Sequence, residues 1–324
     1  MRTERRPMAP TASGTPGIDA DPVHELAADV AWVPLSIVNA YLVGPYRAAS
    51  GTWVLIDAGM SFSGSTIRKD AAVRFGPDSL PAAIVLTHAH FDHVGSLREL
   101  AGGWDVPVYA HPLELPYLTG RSDYPPPDPT VGGGLMAYSS RLFSRRGIDL
   151  GERVRPLPAD GTVPHMPGWK WVHTPGHAPG HVAFFREADR FLIAGDAVVT
   201  TKQESASAAL TGQPLGVRRP PAYFTTDWER ARQSVRRLAD LKPEVLATGH
   251  GFPMRGPTMR RELEDLAANF DRYAPRSGRY VGSPALADET GVRSVPPPAA
   301  REVMAGVVAA FGVGALVGWM SGRD

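Results

Sequence analysis

Cysteine is absent from this chain of 324 residues. Disulfides, thiolate zinc sites and covalent thiol catalysis are therefore excluded, and any metal must be held by nitrogen and oxygen. An excess of charge is absent too: 34 Lys and Arg face 33 Asp and Glu, for a formal net charge of +1. Nothing in that balance marks a nucleic-acid surface. The basic residues are scattered, and Arg230, Arg232, Arg236 and Arg237 read as the solvated face of one helix. Long apolar runs are missing from most of the chain. The basic start has none behind it, so it does not read as a signal peptide, and residues 1–22, polar with Pro and Gly, are expected to be disordered.

What the chain does have is a dense histidine cluster. Thr87 to His93 read T-H-A-H-F-D-H, directly after the apolar run Ala82 to Leu86, which reads as a buried strand. His88 and His90 alternate around Ala89 and share a side in an extended segment, while Asp92 and His93 follow a turn. The simplest chemical reading is two adjacent metal ions served by one loop. Three further apolar runs end in a candidate ligand beside glycine. They are Trp169 to Val172 before Thr174-Pro175-Gly176-His177, Phe191 to Ala194 before Gly195-Asp196, and Val245 to Ala247 before Thr248-Gly249-His250-Gly251. Ligands at several strand ends converge on one sheet edge, where α/β folds place their sites.

Taken together and in this order, T-H-A-H-F-D-H, P-G-H, G-D-A and T-G-H-G resemble the metallo-β-lactamase-fold hydrolase superfamily, over roughly Val30 to Tyr273. The resemblance implies an α/β fold, a four-layer αββα sandwich. It also implies that His88, His90 and His177 hold one divalent ion, that Asp92, His93 and His250 hold a second, and that Asp196 bridges both. Asp57, in Val54-Leu55-Ile56-Asp57-Ala58-Gly59, matches an early strand-end Asp that supports the ligands in that superfamily. A diiron flavoprotein relative is expected to carry Glu where this chain has His90, which favours zinc, with Mn or Fe also suited to such ligands. Two ions about 3.5–4 Å apart lower the pKa of a shared water and hold hydroxide at neutral pH. Asp92 and Asp196 are then the candidate catalytic residues. His173 and His181 are read as hydrogen-bond partners that orient the ligands, and His111, His165 and His24 as structural or exposed.

The remaining sequence sets out the organisation. Strands are expected at Trp32 to Val43 and Trp53 to Ile56, and near Val108, Trp169, Val182, Phe191 and Val245. Helices are expected at Ser65 to Phe75, Val94 to Leu100, Asp227 to Leu241 and Met259 to Tyr273. Thr226 is the expected cap of the third of these, with Glu229 completing a capping box. Residues 23–275 are expected to form the metallo-β-lactamase-like hydrolase domain. The segments Gly120 to Gly147 and Thr200 to Phe224 are long enough to shape a substrate pocket, with Met60, Phe62 and Tyr223 as candidate lining residues. A Pro-containing linker, 276–300, leads to the uncharged Val303 to Met320. As a helix that segment spans about 27 Å, with Gly314 and Gly318 as a small-residue pair and Trp319 and Arg323 placed as interfacial anchors. A membrane anchor or a packed helix are its two readings, which leaves a cytoplasmic or membrane-anchored protein that is not secreted.

These features predict a dinuclear hydrolase that cleaves an ester-like bond (lactone, carboxylic ester or thioester) in a small molecule. The alternatives are a mononuclear-iron thiol dioxygenase of the same fold and a non-catalytic metal-bound scaffold. A glutathione thioesterase should show a basic patch and a nuclease extra domains or stronger basic patches, and neither is evident.

Overall fold

The computed structural model describes residues 24–299. A seven-stranded sheet runs in sequence order: β1 His24–Ala27, β2 Val30–Leu35, β3 Val38–Val43, β4 Val54–Ile56, β5 Ala83–Val85, β6 Val108–Ala110 and β7 Val154–Pro156. A five-stranded sheet is built from β8 Trp169–His173, β9 Val182–Arg186, β10 Phe191–Ile193, β11 Val245–Ala247 and β12 Met254–Arg255, ordered β12-β11-β10-β9-β8. Strands β4 to β7 are parallel, and so are β10 and β11.

Side chains on a strand alternate between faces, and three apolar clusters follow from that alternation. Val54, Ile56 and Val85 of the first sheet meet Val182, Phe184, Phe191, Ile193 and Ala247 of the second. The opposite faces carry Leu55 and Ile84, covered by Ile67, Ala71, Leu97 and Leu100, and Leu192 and Leu246, covered by Ala231, Val235, Leu238, Leu263 and Leu266. Helices Gly64–Phe75 and Leu97–Trp104 supply the first cover, and Trp228–Asp240 and Pro257–Ala268 the second. The result is the expected αββα sandwich.

Several boundaries differ from expectation. Trp32 to Val43 is a hairpin, β2 and β3, and not one strand. Asp92 and His93 lie on a single helical turn, Phe91–Val94, ahead of the longer helix. Asn269 separates Pro257–Ala268 from the turn Phe270–Tyr273. The cap of Trp228–Asp240 is Asp227, whose carboxylate accepts from the Arg230 amide at 2.9 Å. Thr226 is one residue too early; its amide and that of Asp227 both donate to the Gly176 carbonyl, and Glu229 pairs with Arg232 and Gln233 instead of reaching back.

The segment expected as a linker contains a hairpin, β13 Leu286–Asp288 with β14 Gly291–Ser294. Its Val292 packs on the first core and donates its amide to Ser122 Oγ at 3.0 Å. Among the described residues no helix is long and apolar enough to cross a membrane. Residues 1–22 and Val303 to Met320 lie outside the described residues.

Because Asp227 supplies the first-turn acceptor of an amphipathic helix, Asp227→Ala should lower unfolding free energy by about 1 kcal/mol. Denaturant unfolding checks this; Thr226→Ala should be the milder change.

Candidate metal centre

Every candidate ligand emerges at one edge of the two sheets. β5 leads into His88, β10 into Asp196 and β11 into His250, each three residues beyond a parallel strand end. β8 runs out toward His177, and the chain returns through His181 into the antiparallel β9. The amide of Val182 donates to the Thr87 carbonyl at 2.9 Å, and the Tyr41 hydroxyl to the Thr248 carbonyl at 2.7 Å, so bonds between the sheets hold the edges together. Gly249 is required by close approach: a Cβ there would lie 2.0 Å from Asp196 Oδ1 and 2.8 Å from His93 Cε1.

The structure brings all seven predicted ligands together, each of them buried. Three groupings place their donor atoms within 4.8 Å of one another: His88 with His90 and His177, Asp92 with His93 and His250, and His88 with His93 and Asp196. In the first, His88 Nε2 lies 3.0 Å from His90 Nδ1, which lies 2.9 Å from His177 Nε2. In the second, His250 Nε2 lies 3.5 Å from Asp92 Oδ2 and 3.0 Å from Asp196 Oδ2. Asp196 also approaches His93 Nε2 at 3.6 Å and His177 Nε2 at 3.3 Å, which puts it between the two groups.

Hydrogen bonds assign the tautomers. Asp57 accepts from the Thr87 amide at 2.8 Å, from Thr87 Oγ1 at 2.7 Å and from His93 Nδ1 at 2.8 Å. Its backbone occupies the left-handed region, φ 59°, which Asp tolerates better than most residues. With its hydrogen given to Asp57, Thr87 Oγ1 accepts from His88 Nδ1 at 3.1 Å. The Nε2 atoms of His88 and His93 are therefore left facing the centre. His250 makes the same commitment, donating Nδ1–H to the Ile37 carbonyl. His181 is arranged the other way round. Its Nε2 accepts from the Asp196 amide at 2.9 Å while Nδ1 donates to Thr174 Oγ1 at 2.8 Å, so it fixes the Asp196 backbone.

This arrangement fits a metal. Burial pushes the pKa values of His88, His90 and His177 down, His177 to about 4 despite Asp196, and leaves neutral lone pairs converging at 3.0 Å or less. His93 Nε2 and Asp196 Oδ1 are both buried without a hydrogen-bond partner. Burial opposes charge on His93 and His250, but Asp196, joined by Asp57 or Asp92, outweighs it and raises both. Buried carboxylates that demand positive charge, beside imidazoles offering lone pairs, are the environment of a cation. All donors are nitrogen or oxygen, which suits zinc, manganese or iron.

Around the centre the candidate pocket residues separate. Tyr223 is buried against Phe224, with Phe91, Met136 and Phe143 packed on the same cluster. The Phe224 ring lies 4.8 Å from that of His90, so this aromatic wall abuts the ligands. Met60 and Phe62 line a different cavity of about 340 Å³ with Leu35 and Ser36, and Phe62 is 91% exposed. His173 contacts the Pro179 carbonyl at 3.0 Å and stacks on His111 at 4.2 Å, away from the ligand rings, while His24 and His165 are exposed. Sequence reasoning missed Thr87, Phe224 and Glu114. Thr87 and Phe224 are end residues of segments already singled out, whereas Glu114 carries no local signal.

Comparison with known proteins agrees with this geometry. The family profile described as the metallo-beta-lactamase superfamily matches residues 33–250. A probable metallo-hydrolase of Bacillus subtilis (strain 168), YflN, is 46% identical over 243 residues, covering 75% of this chain and 91% of the relative. A second probable metallo-hydrolase of the same strain, YybB, is 29% identical over 216 residues, covering 64% and 83%. Among solved structures, a beta-lactamase domain protein from Burkholderia ambifaria aligns with a TM-score of 0.53 at 23% identity, covering 79% of this chain and 76% of that one.

Gly249→Ala should drive a methyl group into Asp196 and cut metal affinity by roughly 10–100-fold, the range seen when a ligand's support is disturbed. Metal analysis after dialysis, with circular dichroism to confirm the fold, tests it; wild-type metal content would show that the contact is not needed.

Proposed function

Because the chain belongs to the metallo-beta-lactamase superfamily, we propose that it is a dinuclear metal-dependent hydrolase acting on an ester-like bond, a lactone, carboxylic ester or thioester, in a small substrate. The observation that carries this reading is the buried cluster of seven nitrogen and oxygen donors with Asp196 between two groups. His88, His90 and His177 would hold one ion, Asp92, His93 and His250 the other, and Asp196 both. Zinc is the proposed metal. When bound, such a pair supplies Lewis-acid activation of a water and of the electrophilic carbonyl.

The chain's own residues do the rest. Asp57 fixes the His93 ring directly and the His88 ring through Thr87. Asp92 orients the attacking water by accepting its hydrogen bond. Phe91, Phe143 and Phe224 hold the apolar side of the substrate and keep bulk water away. Burial and the nearby Asp92 charge push the Tyr223 pKa well up, so its hydroxyl stays protonated and serves as a donor at this wall. A mononuclear thiol dioxygenase needs only one ligand group; the second buried group, Asp92 with His93 and His250, supports the hydrolase reading.

Two outcomes are expected. Purified protein should carry about two zinc per chain, and chelation should abolish hydrolysis of a panel of lactones, aryl esters and thioesters, with zinc restoring it. One iron per chain with oxygen uptake on a thiol would instead establish the dioxygenase. Second, Asp196→Ala should lose nearly all turnover, whereas Phe143→Ala should raise KM for apolar acyl substrates by roughly tenfold, about 1.4 kcal/mol of burial, and leave acetyl esters little changed.

A further inference from the structure

Glu114 is fully buried at the end of the short helical turn Pro112–Glu114 that follows β6, an element that contributes no ligand. Its carboxylate receives three donors. Oε2 accepts from the Ala89 amide at 3.0 Å and from the Tyr124 hydroxyl, and Oε1 accepts from the Gly180 amide at 2.7 Å. Ala89 lies between His88 and His90, and Gly180 lies three residues beyond His177. One side chain thus ties together the two loops that carry the three-imidazole group. Tyr124 adds to the tie: the Ala89 amide lies 3.0 Å from its oxygen, its ring sits 4.4 Å from that of His90, and it stacks on Tyr117 at 3.9 Å. Gly180 lies so close that a Cβ there would fall 2.8 Å from Glu114 Cγ.

The partners of Glu114 all lie on the side of the three-imidazole group; in the other group His93 is held by Asp57 and His250 by the Ile37 carbonyl.

We propose that Glu114, with Tyr124, is the positioning residue for the His88–His90–His177 ion alone. The geometry gives the reason. The three nitrogens of that group come from two loops that share no strand pairing with each other at this point, and their spacing of 2.9 to 3.0 Å depends on where those loops sit. Two backbone amides that point away from the ligands need an acceptor in a water-free interior, and only a carboxylate can take both and a phenol together. Gln in its place has one acceptor oxygen and sets an NH2 against an N–H, forcing one loop away from the other. Buried supports of this kind set ligand orientation and commonly govern metal affinity.

The inference rests on the two-ion reading, and the test separates them. Zinc stoichiometry and dissociation constants are measured on the full chain by competition with a chromophoric chelator, for wild type, Glu114→Gln and Tyr124→Phe. His177→Ala and His250→Ala serve as markers for the two ions. Glu114→Gln should weaken the ion that His177→Ala removes by roughly 10–100-fold and spare the one that His250→Ala removes. The spectrum of the cobalt(II) protein should change only in the band lost in His177→Ala. Tyr124→Phe should act at the same ion with a smaller effect. Unchanged affinity in Glu114→Gln, or equal weakening at both ions, overturns the role of Glu114. A wild type that binds one ion overturns the two-ion reading, and Glu114 is then judged on that ion, whose affinity must still fall. A Glu114→Gln chain that does not fold leaves Tyr124→Phe to decide by the same criterion.

Discussion

The whole catalytic edge depends on one electrostatic constraint: imidazole lone pairs and carboxylate oxygens are buried facing one another. Bringing His93 Nε2 and Asp196 Oδ1 together in a dry interior without a hydrogen bond costs several kcal/mol unless positive charge lies between them. The three nitrogens of His88, His90 and His177 crowd together at 2.9 to 3.0 Å, a spacing at which three neutral lone pairs also call for a shared positive charge. A sequence selected only for stability would replace such groups with apolar ones. Their retention, with Thr87, Asp57 and Ile37 each taking up an outer ring hydrogen or passing one on, is what a site built to hold cations requires.

The fold serves that constraint through its strand ends. Parallel strands deliver their carboxyl ends to one edge, so β5, β10 and β11 place His88, Asp196 and His250 within reach of each other without a long loop. Apolar packing between the sheets, through residues such as Val85, Ile193 and Ala247, sets the distance between the two sources of ligands. Errors of a few tenths of an ångström in that packing reach the site directly, because Gly249 leaves no slack beside Asp196.

How much of this was legible in the sequence depends on locality. The seven candidate ligands were readable because four of them crowd into the few residues after one apolar run and the other three, His177, Asp196 and His250, each follow an apolar run of their own beside glycine, so local pattern and site coincide. The αββα class was readable from strands interleaved with helices. Helix boundaries were less so: Thr226 and Asp227 are both capping residue types and both amides donate to the Gly176 carbonyl, so what decides is which side chain reaches the first turn, and it is the Asp227 carboxylate that accepts from the Arg230 amide. The hairpin at Leu286 to Ser294 was hidden by its Pro- and Ser-rich flanks, since two short strands need Ser122 and the first core to hold them. Glu114 was invisible for a sharper reason. Its three partners, Ala89, Tyr124 and Gly180, lie 25, 10 and 66 residues away, and no periodicity records contacts at such separations.

The two ligand groups also differ in charge, and the difference follows from their supports. His88, His90 and His177 offer neutral nitrogens; His88 and His177 have their outer nitrogens toward the hydroxyls of Thr87 and Thr225 at 3.1 and 3.5 Å. The other group includes the Asp92 carboxylate, and its His93 is backed by the Asp57 carboxylate at 2.8 Å. A carboxylate behind an imidazole raises the ring's donor strength, and one in the group itself neutralises charge outright. A cation beside His93 and Asp92 would therefore be held chiefly by charge, and one among the three imidazoles chiefly by lone-pair donation and geometry. Asp196 joins these unlike halves, and its position between them makes a single centre of two groups that the sheets build separately.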